Sequence, residues 1–320
     1  MHLPELTPSR WLTAWSLDVP VLVVVLALAA GYLLLVRRAT WPGSSTAWFL
    51  TAGLGLPVLV TMSFLGTYDR VLLWPLAVQD VLLLTLVPIG LTAGRPLALI
   101  RAAFPSNRKP SRLSRVLSFP LVGSVAAVAV MLAVYTTGWD QARLGSPTLL
   151  ELTRLLLVVV GCCFLWPLLG VDAGTGSTSY PVRAVIAFVD GLLDAIPGLA
   201  VLGSGHAIAA AHYLSVGRTY ARDQEVGGAA MVALSELVGL PALLVLLVQW
   251  VRSDARQAQL VDAELDVVEA AEVAVHGSAV LQAPWWESDA GPLAGRFGGS
   301  APDEPFDDLR GDRGRRVLPD

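Results

Sequence analysis

Charged residues are scarce in this chain of 320 residues, and their scarcity excludes most classes of soluble protein. Only 15% of the residues are charged, 54% are hydrophobic, and the mean hydropathy is +0.62. Soluble domains carry about 25% charged residues. The composition therefore predicts an integral, multi-pass protein of the cell membrane, with the lipid bilayer as its surroundings.

Residues that usually bind metals or form disulfides are also few. The chain has four histidines and two cysteines, and Cys162 and Cys163 are adjacent in an apolar run. Adjacent cysteines exclude a disulfide framework, and no Cys/His finger spacing occurs. The motifs GxxxxGK[ST], HExxH and GxSxG are absent as well. With no catalytic signature, we expect the protein not to be an enzyme.

Positive charge is too limited to indicate a nucleic-acid partner. The formal net charge is −4, and it divides into +4 for residues 1–252 and −8 for residues 253–320. A nucleic-acid-binding protein usually carries a strongly basic surface. We therefore expect no nucleic-acid partner, and membrane topology explains the basic residues that are present.

Long apolar stretches are what the sequence has in abundance, and a helix needs roughly 20 apolar residues to cross a bilayer. Seven such stretches predict an all-α fold, a polytopic membrane protein with a seven-transmembrane-helix bundle over residues 18–252. The predicted spans are Asp18–Val36, Ala47–Gly66, Val71–Leu91, Pro120–Thr136, Leu149–Gly170, Val182–Leu202 and Ala229–Val251.

Basic loop residues predict the orientation of these spans. The loop Gly94–Val116 carries six basic residues and no acid, and the positive-inside rule places such a loop in the cytoplasm. Alternation then puts the amino-terminal segment, residues 1–17, outside and the carboxyl terminus in the cytoplasm. Acids alternate with apolar residues at near-helical spacing over residues 253–276, which predicts a cytoplasmic amphipathic helix. Residues 277–320, rich in Gly, Pro, Ser and acids, are predicted to be disordered.

Beyond the first two positions of each predicted span, six acidic or basic residues fall within the spans, where each costs on the order of 3 kcal/mol unless it has a partner, a water-filled cavity or a function. Their predicted depths favour convergence of most of them on one outward-facing polar cavity. They are Asp80, Glu151, Arg154, Asp190, Asp194 and Glu236.

Two of these groups are close pairs in sequence. Glu151 and Arg154 are three residues apart on one helix face, which favours an internal ion pair. Asp190 and Asp194 are four residues apart, so their carboxylates would hold a cation or an arginine between them. For the second pair, an ion pair with Arg154 and a functional site are both open alternatives.

The soft-metal candidates are two histidines and three methionines. His206 and His212 lie six residues apart in the predicted loop between spans six and seven. Met62, Met131 and Met231 lie in the outer halves of spans, and thioethers suit Cu(I). The alternative interpretation is that the histidines are solvated loop residues and the methionines ordinary packing residues.

Several segments together resemble the CtaG-like cytochrome c oxidase assembly family of bacterial membranes. The resemblance covers residues 20–256. It includes the run WPLAVQDVLLLTLVPIGLTAGRPLALI on the third span and FLWPLLGVD at the end of the fifth. The most specific part is the opening of the last span, with Asp223, Gln224, Gly227 and Gly228.

The resemblance implies a role in maturing haem-copper oxidases, in particular copper delivery to the catalytic subunit. At the positions of the family's histidine motifs, however, this chain has Gln79 and Asp80 on the third span, Asp140 after the fourth and Glu151 on the fifth. Imidazole suits copper, whereas carboxylates suit harder ions. Two readings stay open, namely metal binding through other groups, and a metal-free scaffold that contacts a cytochrome c oxidase subunit.

We therefore expect a membrane accessory factor for cytochrome c oxidase assembly, acting without turnover chemistry. The competing hypothesis is a small-solute or ion transporter that uses the intramembrane carboxylates. A third is a purely structural paralogue.

Overall fold

The fold is helical in every part of the chain that the computed structural model describes, namely residues 6–7, 9–104, 120–169, 180–217 and 221–276. Helix accounts for 85% of the described residues, and none of them forms a strand. Within the described residues, six helical segments are long and apolar enough to cross a membrane, or seven if two helices bent by 73° form one span. The prediction of an all-α, multi-pass membrane protein is confirmed.

Breaks within single candidate spans make the first part of the fold more segmented than its apolar pattern indicates. One span, Gly43–Tyr68, contains four helices, and the next, Leu73–Ala103, contains three. In chain order the helices are α1 (Arg10–Thr13), α2 (Val19–Val36), α3 (Gly43–Trp48), the π-helix Phe49–Gly55, α4 (Leu56–Met62), α5 (Phe64–Tyr68), α6 (Leu73–Leu84), α7 (Leu86–Ala93) and α8 (Pro96–Ala103).

Hydroxyl side chains lie at two of these breaks. The backbone of Ser63 is extended, and its hydroxyl accepts a hydrogen bond from the amide of Leu65 at 3.3 Å, so α4 ends and α5 begins there. The hydroxyl of Thr85 donates to the carbonyl of Val81 at 2.7 Å, between α6 and α7. Such side-chain bonds compete with the helical backbone and bend helices.

Of the remaining six helices, three follow predicted spans closely, two short ones correspond to no predicted span, and the last extends beyond its predicted span. They are α9 (Pro120–Thr136), α10 (Trp139–Gly145), α11 (Pro147–Leu169), α12 (Tyr180–Leu202), α13 (Ala210–Ser215) and α14 (Ala221–His276). The bounds of α9 equal those of the predicted fourth span. Helix α14 runs for 56 residues without a break at residue 253. No Gly or Pro follows Pro241 before its end, so nothing in the sequence terminates it there.

The chain divides into two compact units, Met1–Ser253 and Asp254–Asp320. The first unit contains the candidate spans, the last of them as far as Ser253. It also contains the main apolar core, to which α6, α9 and α11 contribute. The segment predicted to be disordered, 277–320, and positions 105–119 of the basic loop lie outside the described residues.

Glycines bring α6, α9 and α11 into close contact. A Cβ atom on Gly161 of α11 would lie 1.9 Å from the carbonyl oxygen of Leu84 on α6. A Cβ atom on Gly123 of α9 would lie 2.5 Å from Cα of Phe164 on α11. Small residues allow transmembrane helices to approach in this way. The close packing of α6, α9 and α11 positions the polar side chains described below.

Helix α2 lies at the periphery and is anchored near both ends. Only 6% of its residues are buried. At its start, Asp18 accepts a hydrogen bond from the amide of Val21 and pairs with Arg154 at 2.6 Å. Near its end, the hydroxyl of Tyr32 donates to the carbonyl of Gly94 at 2.7 Å. The middle of α2 is therefore held by its ends.

Candidate functional site

One buried arginine gathers three carboxylates from different parts of the chain. Arg154 of α11 lies 2.5 Å from Glu151, 2.6 Å from Asp18 and 2.6 Å from Asp69. Its guanidinium also donates to the side-chain oxygen of Gln79 at 3.2 and 3.3 Å. We call these five residues the Arg154 cluster. The close contact between Glu151 and Arg154 is the one that their three-residue spacing indicates.

A second arginine lies completely buried nearby in the fold. Arg143 of α10 donates to both oxygens of Asp80, at 3.1 and 2.7 Å, and to Asp140 at 2.6 Å. The hydroxyl of Tyr135 donates to Asp80 at 2.7 Å, and the guanidinium stands 5.5 Å from the centre of the Tyr135 ring. We call these four residues the Arg143 cluster. A bidentate, charge-assisted pair of this kind has a fixed geometry.

Helix α6 joins the two clusters through neighbouring residues. Gln79 bonds to Arg154, while Asp80 bonds to Arg143, and both side chains are fully buried. Gln79 also donates to the carbonyl of Val60 at 3.0 Å. A shift of α6 would therefore disturb both clusters together.

The Arg154 cluster opens into a cavity of about 980 Å³, which we call the vestibule. Asp18, Glu151, Arg154, Arg70 and His212 contribute to its walls. With three carboxylates in the cluster against one guanidinium, and with Arg70 exposed beside them, the charged groups sum to a negative value. A vestibule of this charge attracts cations.

The loop between α5 and α6 adds a carboxylate with an altered proton affinity. Asp69 is buried in this loop, outside the candidate spans. Burial raises the pKa of its carboxyl group from 3.8 to about 6, although Arg154 and Arg70 lower it. Burial outweighs the ion pair here because it disfavours the charged form.

Three of the predicted polar residues lie apart from both arginine clusters. Asp190 of α12 is buried and accepts a short hydrogen bond from the hydroxyl of Ser124 on α9. Asp194 lines a cavity of about 40 Å³ together with Asp190. Asp194 and Glu236 form no ion pair within the described chain, and neither aspartate pairs with Arg154. The structure thus places the six predicted residues in three groups.

Among the predicted soft-metal donors, Met131 and Met231 line one cavity, whereas Met62 and the two histidines do not line it. The side chain of His206 is exposed, and Nε2 of His212 donates to the carbonyl of Arg70 at 2.8 Å. Met62, Met131 and Met231 are buried among apolar residues. Over the described ranges, no group of three or more His, Cys, Asp or Glu side chains is arranged to hold a metal ion.

The residues that carry the family resemblance have clear structural contacts. The carboxylate of Asp223 accepts hydrogen bonds from the amides of Leu73 and Trp74 at 2.5 and 3.4 Å, at the start of α6. Gln224 accepts from the amide of Ile208 at 3.0 Å and donates to the carbonyls of Val201 and His206. These contacts connect the start of α14 to α6, to the end of α12 and to the segment between α12 and α13.

The two glycines of the same motif lie at helix contacts. A Cβ atom on Gly227 would lie 3.3 Å from Cα of Trp74, and one on Gly228 would lie 3.0 Å from the carbonyl oxygen of Gly198. Small residues at these positions let α14 approach α6 and α12. The motif therefore closes the bundle around the buried clusters.

Arg143, Tyr135, Asp18 and Asp69 belong to the clusters but were not among the site residues predicted from the sequence. For Arg143 the sequence does contain a local pattern, because Asp140 and Arg143 have the same three-residue spacing as Glu151 and Arg154. Asp18 and Asp69 reach Arg154 across 136 and 85 residues, and no local pattern indicates such pairs.

The protein is therefore a multi-pass helical membrane protein whose interior holds arginine–carboxylate networks. Residues 26–253 match the family described as cytochrome c oxidase caa3 assembly factor (Caa3_CtaG). This match covers most of the chain and nearly all of its candidate spans, so the chain belongs to that family.

Similar curated proteins come from mycobacteria. Uncharacterized proteins of Mycobacterium bovis and Mycobacterium tuberculosis are each 28% identical over 284 residues, 81% of this chain and 43% of theirs. One of Mycobacterium leprae is 27% identical over 281 residues, 80% of this chain and 42% of its own length. The chain thus spans less than half the length of these relatives. No solved structure matches it significantly.

Proposed function

We propose that this protein is a membrane accessory factor for cytochrome c oxidase assembly and that it acts as a metal-free scaffold for an oxidase subunit. Membership of the assembly-factor family supports the role in assembly. The proposal that the scaffold holds no metal rests on one observation, namely that the buried acids are already bound by arginines. Asp80 is bound through both oxygens by Arg143, and Glu151 is bound by Arg154.

Because Asp80 and Glu151 are already paired with arginines, binding of copper at these positions is unfavourable. A Cu(I) ion would have to displace a guanidinium from carboxylates that are poor ligands for soft ions. Breaking a buried ion pair in this way costs about 3–5 kcal/mol. A core whose buried acids are held by arginines suits a protein that binds a partner, and it requires no turnover chemistry.

The proposed orientation in the cell membrane has the amino terminus outside and the carboxyl terminus in the cytoplasm. The basic residues Arg95 and Arg101 at the end of the Leu73–Ala103 span support a cytoplasmic position for that end. The vestibule, which lies at the opposite end of that span beside Asp69, then faces outward.

A deletion strain tests the proposed function. We expect loss of the gene to lower the amount of assembled cytochrome c oxidase, while each remaining oxidase molecule keeps its full copper content. Added copper salt should not restore oxidase activity, whereas the gene supplied in trans should. Rescue by copper alone would support copper delivery instead, and normal oxidase levels would contradict any role in assembly.

One observation favours a second candidate, a cation or small-solute transporter. Asp194 lies in a span, lines an internal cavity and has no ion-pair partner among the described residues. Unpaired intramembrane carboxylates often mark ion paths. If transport is the function, Asp194→Asn should abolish uptake in cells and leave oxidase levels unchanged. If the scaffold proposal is right, Asp194→Asn changes no solute uptake.

A further inference from the structure

A narrow apolar crevice separates the middle of α2 from the rest of the bundle. Its volume is about 270 Å³. Val21, Val24 and Leu28 form its outer wall on α2, while Val87 and Val158 lie on the inner wall. The two ends of α2 are held by the Asp18–Arg154 ion pair and by the Tyr32 hydrogen bond described above. The crevice therefore lies between two fixed points.

The crevice leads directly into the vestibule. Pro20, Thr61, Thr148, Glu151 and Arg154 line both spaces. An apolar slot within the membrane thus ends at a charged chamber near the ends of the spans. This combination matches an amphiphile, with an apolar tail and a polar head, rather than a purely polar or purely apolar ligand.

We propose that the crevice and vestibule together bind one phospholipid with an amine headgroup, of the phosphatidylethanolamine type. An acyl chain occupies the crevice against Val24 and Leu28. The ammonium group lies at the carboxylates of Glu151 and Asp18, and the phosphate lies towards Arg70. The site does not depend on the proposed function in oxidase assembly.

The lining of the crevice favours an acyl chain as its occupant. Apolar side chains of α2 and of the bundle face each other across it, and its end joins the charged vestibule. A lipid tail surrounds a membrane span at this depth and continues into a polar headgroup at the end of the span.

The charge of the vestibule selects the headgroup. The side chains of Glu151 and Asp18 retain 26% and 13% exposure, while Asp69 retains 4%, so the first two carboxylates are the accessible ones. Three carboxylates against Arg154 and Arg70 leave a net charge of −1 when all are ionised. An ammonium group is favoured by this charge, and an anionic head such as phosphatidylglycerol is disfavoured.

Lipid titration followed by native mass spectrometry of the purified full-length chain tests the proposal. We expect phosphatidylethanolamine to bind about fivefold more tightly than phosphatidylglycerol, the effect of one partly exposed ion pair. Val24→Trp fills the crevice and should weaken phosphatidylethanolamine binding about tenfold. Leu28→Trp provides a second filling variant, because both side chains are about half exposed and tolerate enlargement.

Two matched controls make the test specific. Val23 neighbours Val24 on α2, is exposed and does not line the crevice, so Val23→Trp should bind phosphatidylethanolamine like the unaltered protein. Glu151→Gln should abolish the headgroup preference, whereas Glu225→Gln, at an exposed position outside the vestibule, should retain it. Equal binding of the two lipids by the unaltered protein would overturn the proposal. Equal binding by the Val24 and Val23 variants would overturn it as well.

Discussion

At the scale of single residues, the loss of a buried arginine has different consequences from the loss of one of the acids that it binds. Arg143 balances two carboxylates, Asp80 and Asp140, at 0% and 1% exposure. Removing one acid leaves a neutral pair, whereas removing the arginine leaves two uncompensated charges. The arginine is therefore the more critical member of the cluster, because an unpaired buried charge is far more costly than a buried pair.

We predict that Arg143→Leu destabilises the protein by about 3–5 kcal/mol, whereas Asp80→Asn causes a smaller loss. Thermal unfolding of the detergent-purified variants measures the difference. Arg222→Leu is the control, because Arg222 is exposed at the start of α14. Equal losses of stability in the Arg143 and Asp80 variants would contradict the charge balance described above.

Asp69 provides a pH-dependent test. Its folded-state pKa of about 6 lies above its ordinary value of 3.8. Its contribution to stability is therefore greatest below the ordinary value and is lost as the pH rises through about 6. Between about pH 5 and pH 7 the loss amounts to about 1 kcal/mol.

Asp69→Asn removes this contribution. When the pH is raised from about 5 to about 7, we expect the apparent Tm of the Asp69→Asn variant to fall less than that of the unaltered protein. Parallel pH dependence in the two proteins would show that the Asp69 carboxyl group does not titrate in this range.

Part of the site was predictable at this scale, because some pairs are local in sequence. The spacing of Glu151 and Arg154 predicts their contact. The cost of burying a charge in a span predicts that Asp80 has a partner, a water-filled cavity or a function. The partner of Asp80 is 63 residues away, so its identity depends on how α6 and α10 pack. Such pairs are decided by tertiary contact, which periodicity does not encode.

At the scale of helices, α6 begins at a position capped by a distant side chain. No side chain near Leu72 in sequence caps the start of α6. The carboxylate of Asp223, from the start of α14, bonds to the amides of Leu73 and Trp74 instead. An acid at a helix amino terminus satisfies free amide groups and opposes the helix dipole.

We predict that Asp223→Ala lowers stability by about 1–2 kcal/mol, the cost of a lost helix cap, and that Asp223→Asn loses less. Glu225→Ala, two residues further along α14, should be close to neutral because its side chain is exposed. Apparent Tm values of the three variants test this. If Asp223→Ala behaves like Glu225→Ala, the cap contributes nothing.

Apolar length predicted where helices occur but not how they are interrupted. The predicted bounds of Pro120–Thr136 coincide with α9, because a run of apolar residues between polar ends leaves little choice. The breaks at Ser63 and Thr85 depend on side-chain bonds to the backbone. The sequence predicts a span that ends at Val251 and a separate amphipathic helix over residues 253–276, whereas α14 is continuous over both.

At the scale of the whole molecule, the orientation in the membrane and the count of seven spans stay predictions. They can be tested in a Cys162→Ala, Cys163→Ala background with single new cysteines. We expect His206→Cys to react with a membrane-impermeant maleimide on intact cells. Arg101→Cys should react only after the cells are opened. The reverse pattern would invert the proposed topology.

We propose that the protein contacts a cytochrome c oxidase subunit without carrying copper. The most direct measurement is the recovery of the oxidase catalytic subunit with the affinity-tagged full-length chain, from cells grown with and without a copper chelator. We predict equal recovery in the two conditions, and no copper in the purified chain itself. Failure to recover the subunit, or recovery only from copper-replete cells, would contradict the claim.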